Sequence, residues 1–231
     1  MIVFPSNWKK IGVKSSLQDI EERIIFVLKK LDCNNLALSG GVDSSLLLYY
    51  MTKIFEKVNC FTIAGFVDHP DVVHAKIITD RLLAFHNILI TEEKDDKEDF
   101  QGDSYVRRFY VWLGELKISS IVVGDGVDEF NGGYYDHLRF GEKAYFDYLE
   151  RLVSEHLIPL EKNSNNIKVY LPYLDQELIN MFNFLPLEER FDKESRKKVI
   201  YNLAIKNNLP VEIMERNKYG FCDANRKKEE I

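Results

Sequence analysis

Two short glycine-rich segments contain the residue types with the clearest potential for chemistry. The first covers residues 39–45, with the sequence SGGVDSS. Its glycines allow a tight turn that brings backbone N–H groups close to an anion, and its serines add hydroxyl donors. A lone carboxylate at Asp43 would repel phosphate unless Mg²⁺ lay between them, because this cation binds both kinds of oxygen. The segment therefore predicts a pyrophosphate-binding loop with magnesium.

The second segment covers residues 124–134, with the sequence GDGVDEFNGGY. Either segment taken alone could be a glycine-rich turn with solvated acids, but their co-occurrence favours a site. If both segments follow parallel strands, Asp125, Asp128 and Glu129 lie at the same sheet edge as the first loop. Asp43 and Asp128 could then bind one metal ion from two sides.

The elements around these segments predict how they are positioned. Each segment follows a short apolar run typical of a buried strand, at 36–38 and at 121–123. A helix is expected from about 43 to 57, and its N-terminal N–H groups would also face the anion. Further strands are expected at 60–65 and 87–90, separated by a helix that begins at Pro70. This alternation predicts the α/β class, a parallel sheet with crossover helices.

The two ends of the chain differ in their patterns. Ser16 and Asp19 resemble a capping box, which would begin an amphipathic helix. After Gly141 the strand signals fade, and helices are expected at 142–156, 175–184, 193–206 and shortly after Pro210. The sequence therefore predicts an α/β nucleotide-binding domain over 1–140 and a helical lobe over 141–231.

Composition excludes several other classes. The 231 residues carry a formal net charge of -6, which argues against a nucleic-acid partner. No apolar run approaches the roughly 18 residues that a membrane span needs, and the first residues do not form a secretory signal. The three cysteines are scattered, without a CxxC pair that would indicate zinc or redox chemistry. A cytoplasmic location is expected.

Five ordered motifs resemble a known family. The segment at 39–45 resembles the loop of the N-type ATP pyrophosphatases, which cleave ATP between its α- and β-phosphates. The segment at 124–134 is similar to the SGEGSDEΦFGGY signature of asparagine synthetases, where Φ is apolar. The stretches at 61–76, 171–175 and 216–221 also resemble that family. The resemblance implies the adenine nucleotide alpha hydrolase-like (PP-loop) fold and an ATP-dependent, AMP-forming amide ligase.

The resemblance also implies roles for particular residues. Residues that would bind ATP and its pyrophosphate group lie in the first loop and at strand ends: Leu38, Ser39, Gly40, Gly41, Asp43, Ser44, Ser45, Ile63 and Gly124. Leu38 and Ile63 would flank adenine. Asp43 and Asp128 would hold Mg²⁺, while Lys198 and Lys218 would approach the phosphates. Asp125 stands where asparagine synthetases keep a glutamate that serves the amine step.

Departures from the family leave the substrates open. The glutaminase domain of such enzymes needs a cysteine directly after Met1, and here Ile2 follows. The expected nitrogen donor is therefore free ammonia, a substrate amine or a separate glutaminase chain. The acceptor carboxylate is open, with aspartate as one candidate, because Asp125 replaces a glutamate. The alternatives are a tRNA-modifying PP-loop ATPase and a catalytically silent nucleotide-binding relative.

Overall fold

Five parallel strands form the central sheet, in the spatial order β3-β2-β1-β4-β5. The computed structural model describes residues 14–92 and 103–217. Within these ranges the strands are β1 (Asn35–Ala37), β2 (Asn59–Ala64), β3 (Phe85–Ile90), β4 (Ser120–Val122) and β5 (Lys168–Tyr170). The predicted α/β class with a parallel sheet is confirmed. The four predicted strands are shifted by one or two residues at their ends.

Helices cover both faces of this sheet because parallel strands need crossover connections. They are α1 (Leu17–Leu31), α2 (Val42–Thr52), α3 (Pro70–Leu82), α4 (Asp103–Glu115), α5 (Val127–Asn131), α6 (Tyr135–Phe140), α7 (Glu142–Arg151), α8 (Ile158–Asn163), α9 (Gln176–Phe184), α10 (Leu187–Arg190), α11 (Lys198–Lys206) and α12 (Val211–Met214). A π-helical turn, Leu152–Leu157, joins α7 to α8, and a 3₁₀ turn, Pro172–Leu174, precedes α9. The predicted capping box is present at the start of α1. No helix in the described ranges is both long and apolar enough to cross a membrane.

Side chains that alternate along the strands build two apolar cores, one on each face of the sheet. Leu36, Cys60 and Val122 belong to the larger core, which packs against α1, α2, α9 and α11. Phe61 and Ile121 belong to the smaller core, which packs against α4 and α8. The central strands β1, β2 and β4 are buried or half-buried between these layers, which explains why they read as short apolar runs. The edge strand β3 is partly exposed.

The fifth strand corrects one prediction. Residues 141–231 were expected to be helical, but Lys168–Tyr170 pairs in parallel with β4 through Ile121 and Val169. The sequence of this strand is Lys-Val-Tyr and only Val169 is buried, so it is not an apolar run of the kind that predicted β1 and β4. The sheet is therefore completed by the second half of the chain, across the division expected at residue 140.

The strand order places the two glycine-rich segments side by side. The chain runs from β1 outward to β2 and β3, then returns to the other side of β1 for β4 and β5. The first segment follows β1 and the second follows β4, and these strands are hydrogen-bonded neighbours. In open α/β sheets, ligands bind at this topological switch point, beyond the carboxyl ends of the strands.

Gly40 fixes how the first segment packs. Its φ is +71°, and a Cβ atom there would lie 2.3 Å from the backbone nitrogen of Ala75 in α3. The chain can therefore pass this closely over α3 only with glycine at position 40. The tight turn expected from the sequence has a packing cause as well as a conformational one.

Gly40→Ala is expected to lower the free energy of unfolding by about 3–5 kcal/mol, because overpacking and a disfavoured backbone each cost roughly 1–3 kcal/mol. Urea unfolding followed by circular dichroism measures this loss. Gly141→Ala is the matched control, since Gly141 shares a positive φ of +59° but a Cβ atom added there would meet no atom within 4 Å. Equal losses in the two variants would contradict the role of the contact with Ala75.

Candidate active site

A cavity of about 340 Å³ opens where β1, β2 and β4 end. It collects most of the residues that the sequence singled out, although they come from distant parts of the chain. Those that line it are Leu38, Ser39, Gly41, Asp43, Ser44, Ile63, Gly124, Asp125 and Asp128. Ser45 does not line it and is fully buried. Lys218 lies outside the described residues.

The first loop presents the open N-terminus of α2 to this cavity. Gly41 is the N-cap residue of α2 and has no side chain to accept a hydrogen bond from the first helical N–H groups. Ser39 Oγ accepts a hydrogen bond from the Gly41 N–H at 3.3 Å and lies 3.3 Å from Ser44 Oγ. Helix N-termini of this kind bind anions, because unpaired N–H groups and the helix dipole act together.

Lys197 joins the two loops through their carboxylates. Its Nζ lies 2.6 Å from Asp43 Oδ2 and 3.0 Å from Asp128 Oδ1. The lysine side chain is only 4% exposed. Burial alone would lower the pKa of Lys197, but Asp128 and Asp43 together hold that pKa well above its usual range. The two carboxylates therefore lie close enough to contact one cation, here the Lys197 ammonium.

The structure corrects the placement of the neighbouring lysine. Lys198 was expected to approach the phosphates, but its Nζ hydrogen-bonds to the Glu188 carbonyl at 2.8 Å and pairs with Asp192. Lys198 is not among the residues that line the cavity, whereas Lys197 is. Lys197 precedes α11 with a left-handed backbone, φ 49° and ψ 40°. Of these two adjacent lysines, one lines the cavity and the other contacts Glu188 and Asp192 outside it. Motif spacing alone could not tell which lysine enters the cavity.

Glycine at position 133 allows the Asp128 carboxylate to sit where it does. A Cβ atom there would lie 1.7 Å from Asp128 Oδ1. The backbone of this segment is held from the other side, because the Lys197 N–H donates to the Asn131 carbonyl at 3.1 Å. The absence of a side chain at Gly133 thus leaves the space that the Asp128 carboxylate occupies.

Arg216 ties the last described segment to the first loop. Its Nη1 donates to the Ser39 carbonyl at 2.9 Å, and its Nη2 pairs with Asp71 at the start of α3. The arginine side chain is almost fully buried. Sequence analysis noted the stretch that begins at Arg216 but gave this residue no role. The sequence signal that could have given Arg216 a role is its position two residues before Lys218 in the same motif.

Asp125 is paired with a histidine that sequence analysis left without a role. His156 Nε2 lies 2.7 Å from Asp125 Oδ1, and both side chains line the cavity. Burial opposes the charged imidazole, but the hydrogen bond to Asp125 and the nearby carboxylates of Glu129 and Asp128 raise the pKa of His156 to about 9. At neutral pH the imidazole is therefore a cation that donates to Asp125.

A buried carboxyl lies behind this pair. Glu129 is 3% exposed, and burial raises its pKa. Its Oε1 accepts a hydrogen bond from the Tyr134 hydroxyl at 2.7 Å. Of the three acids in the second segment, Asp125 and Asp128 line the cavity and Glu129 does not.

Apolar side chains form another wall of the cavity, next to the polar loops. Leu38, Ile63, Val123, Phe109 and Leu160 line it, and they come from the strand ends and from α4 and α8. An apolar wall beside an anion-binding helix end suits a ligand that combines a flat base with phosphate groups. Leu38 and Ile63, which were expected to flank adenine, both line this wall.

The sheet order and the loop after β1 match the adenine nucleotide alpha hydrolase-like (PP-loop) fold. The structure is similar to that of NMN synthetase from Francisella tularensis, with a TM-score of 0.53 and 11% identity, covering 94% of this chain and 81% of that chain. At this identity the likeness concerns the fold alone.

The sequence comparisons show similarity to one group of enzymes. The family model "Asparagine synthase" matches residues 35–107. The asparagine synthetase (glutamine-hydrolyzing) of Gallus gallus is 24% identical over 95% of this chain. The probable asparagine synthetase of Acanthamoeba polyphaga mimivirus is 26% identical over 83% of it. This chain is thus similar in sequence to asparagine synthetases, and it spans 45% and 40% of the length of these two relatives.

The pairing of Asp125 with His156 predicts a pH dependence of stability. A histidine whose pKa is raised on folding stabilises the native state fully below its unfolded pKa of about 6.5. That contribution is lost as pH rises through the folded pKa of about 9. His156→Gln should therefore flatten the fall in the free energy of unfolding between pH 6.5 and 9. The change is expected to be about 1 kcal/mol or less, since the pair is partly solvated. Urea unfolding at several pH values measures it, and an unchanged slope would contradict the pairing.

Proposed function

We propose that this chain is an ATP-dependent, AMP-forming amide ligase that adenylates a carboxylate and then amidates it. The observation that carries the proposal is the meeting of Asp43 and Asp128 at Lys197, beside the open N-terminus of α2. This arrangement combines an anion-binding loop with a carboxylate pair and a fixed positive charge. The similarity to asparagine synthetases supports the amide as product.

The carboxylate pair suits magnesium. Mg²⁺ is usually bound by one or two carboxylates together with substrate phosphates, and not by an all-protein cage. Asp43 and Asp128 would supply two hard oxygen ligands, and both already lie within 3.0 Å of the Lys197 ammonium. Within the described ranges, no cluster of three or more histidine, cysteine or acidic side chains could hold a metal alone. When bound, Mg²⁺ would offset the negative charge of the phosphates.

In the first step, a carboxylate oxygen of the substrate attacks the α-phosphorus of ATP. A new phosphorus–oxygen bond forms, the bond to the β-phosphate oxygen breaks, and pyrophosphate leaves. The N-terminus of α2, Ser39 and Ser44 would bind the departing phosphates. Lys197 would hold positive charge beside them. Preorganised charge in a site shielded from water is usually the largest catalytic contribution.

In the second step, an amine attacks the activated carbonyl carbon. The carbon–oxygen bond to AMP breaks, and the nitrogen loses a proton. Asp125 lines the cavity next to Gly124 and is the candidate acceptor of that proton. The nitrogen donor is proposed to be ammonia or an amine, taken from solution or from a separate glutaminase chain. The acid is open, with aspartate first among the candidates.

The proposal is tested by pyrophosphate–ATP exchange with Mg²⁺ and a panel of carboxylates headed by aspartate, with no amine present. Exchange that needs one particular acid would establish adenylation and name the acceptor. Adding ammonium should then yield AMP and an amide. ATP binding without exchange for any acid would overturn the proposal and favour a silent relative. Exchange that needs tRNA would favour the tRNA-modifying alternative.

Adjacent lysines provide a matched pair of variants. Lys197→Met is expected to lower the exchange rate roughly 100-fold or more, the usual cost of removing a fixed charge beside a leaving group. Lys198→Met should change the rate less than about threefold, because Lys198 makes only a partly exposed ion pair. Circular dichroism would confirm that both variants fold. The opposite order of effects would restore Lys198 to the site and contradict the structural assignment.

A further inference from the structure

His156 is a cavity residue that neither the family motifs nor the adenylation chemistry accounts for. It lies next to Asp125 at 2.7 Å, and the two side chains are 39% and 33% exposed. An ion pair this open contributes about 1 kcal/mol or less to stability. Stability alone is therefore a weak reason for placing an imidazole and a carboxylate together on the wall of the cavity.

The backbone around His156 has an unusual local form. Residues Leu152–Leu157 form a π-helical turn between α7 and α8. Leu152 and Leu157 of this turn are buried, while Glu155 and His156 line the cavity. π-Helices are rare and appear mostly as single turns inside α-helices, frequently at functional sites. In this turn His156 meets Asp125, near the start of the second glycine-rich segment.

Charged groups around His156 keep the imidazole cationic. Asp125 accepts its hydrogen bond, and the carboxylates of Glu129 and Asp128 add to the attraction. Glu155, on the same turn, pairs with Arg151 at 3.1 Å. A hydrogen bond between an imidazolium and a carboxylate is charge-assisted and stronger than a neutral one. It therefore fixes the carboxylate in one orientation.

Asp125 lies between Gly124 and Gly126, where φ of Gly126 is +90°, so neither chain neighbour has a side chain that could hold its carboxylate. His156 binds Oδ1 of Asp125. Among the described residues, none forms a hydrogen bond with the second carboxylate oxygen, Oδ2. This leaves one carboxylate oxygen to accept a hydrogen bond from a ligand in the cavity.

We propose that His156 is a positioning residue of the amide-forming step, which holds Asp125 so that its second oxygen receives the proton of the attacking amine. The inference rests on the proposed function and deepens it. The amine nitrogen bonds to the acyl carbon, AMP leaves with the electrons of the carbon–oxygen bond, and one N–H proton passes to Asp125 Oδ2. His156 does not touch the reacting atoms and acts through Asp125.

The experiment compares the two half-reactions in the full chain. Pyrophosphate–ATP exchange reports adenylation, and AMP-linked amide formation with ammonium chloride reports the second step. In His156→Ala the ratio of amide formation to exchange should fall roughly 10- to 100-fold, the cost of misplacing a catalytic group by about 1 Å. His156→Gln retains an N–H donor and should recover most of this loss. Ser154→Ala, an exposed change on the same turn, should leave the ratio unchanged.

A double-mutant cycle shows whether His156 acts through Asp125. Asp125→Asn should lower the same ratio, and adding His156→Ala to it should cause little further loss. Additive losses would overturn the inference, because they would mean that the two residues act separately. An equal fall of exchange and amide formation in His156→Ala would also overturn it, since that pattern indicates a structural role.

The outcomes separate this inference from the proposed function. If the wild-type chain shows no exchange with any acid, the proposed function fails and this inference fails with it. If the wild-type chain shows exchange and amide formation, and His156→Ala leaves their ratio unchanged, only the inference fails.

Discussion

The contact of one buried lysine with two carboxylates determines the arrangement of the site. An ammonium group buried as deeply as that of Lys197 is unfavourable unless opposite charges surround it. Asp43 and Asp128 provide them, at 2.6 and 3.0 Å. In turn, the two carboxylates can lie together only because a cation lies between them. Three segments that are distant in sequence are thereby held at one point, beside the open end of α2.

The sheet makes this meeting possible. Because β1 and β4 are neighbours and the chain leaves them in opposite directions, their following loops face each other at the switch point. The apolar cores on both faces hold the strands in register, so the loops have a fixed base. Close packing at Gly40 and Gly133 then sets the positions of the first loop and of Asp128.

The second half of the chain completes what the first half begins. Lys197, His156 and Arg216 all lie beyond residue 141, and each reaches a glycine-rich segment or loop from the first half. Strand β5 comes from the same half and extends the sheet. The site is therefore formed between parts of one packed unit. This explains why a division at residue 140 describes the change in sequence pattern better than the three-dimensional structure.

The sequence by itself determined the α/β class, the two glycine-rich segments and the carboxylates Asp43, Asp125 and Asp128. Local chemistry is enough there, because glycine, acids and apolar strands form recognisable patterns over a few residues. Tertiary structure alone decided that Lys197 and not Lys198 enters the cavity, that β5 completes the sheet, and that His156 meets Asp125. A one-residue choice on a helix end, a strand with one buried residue and a contact across 31 positions of the chain leave no local pattern. They depend on which surfaces pack together once the whole chain has folded.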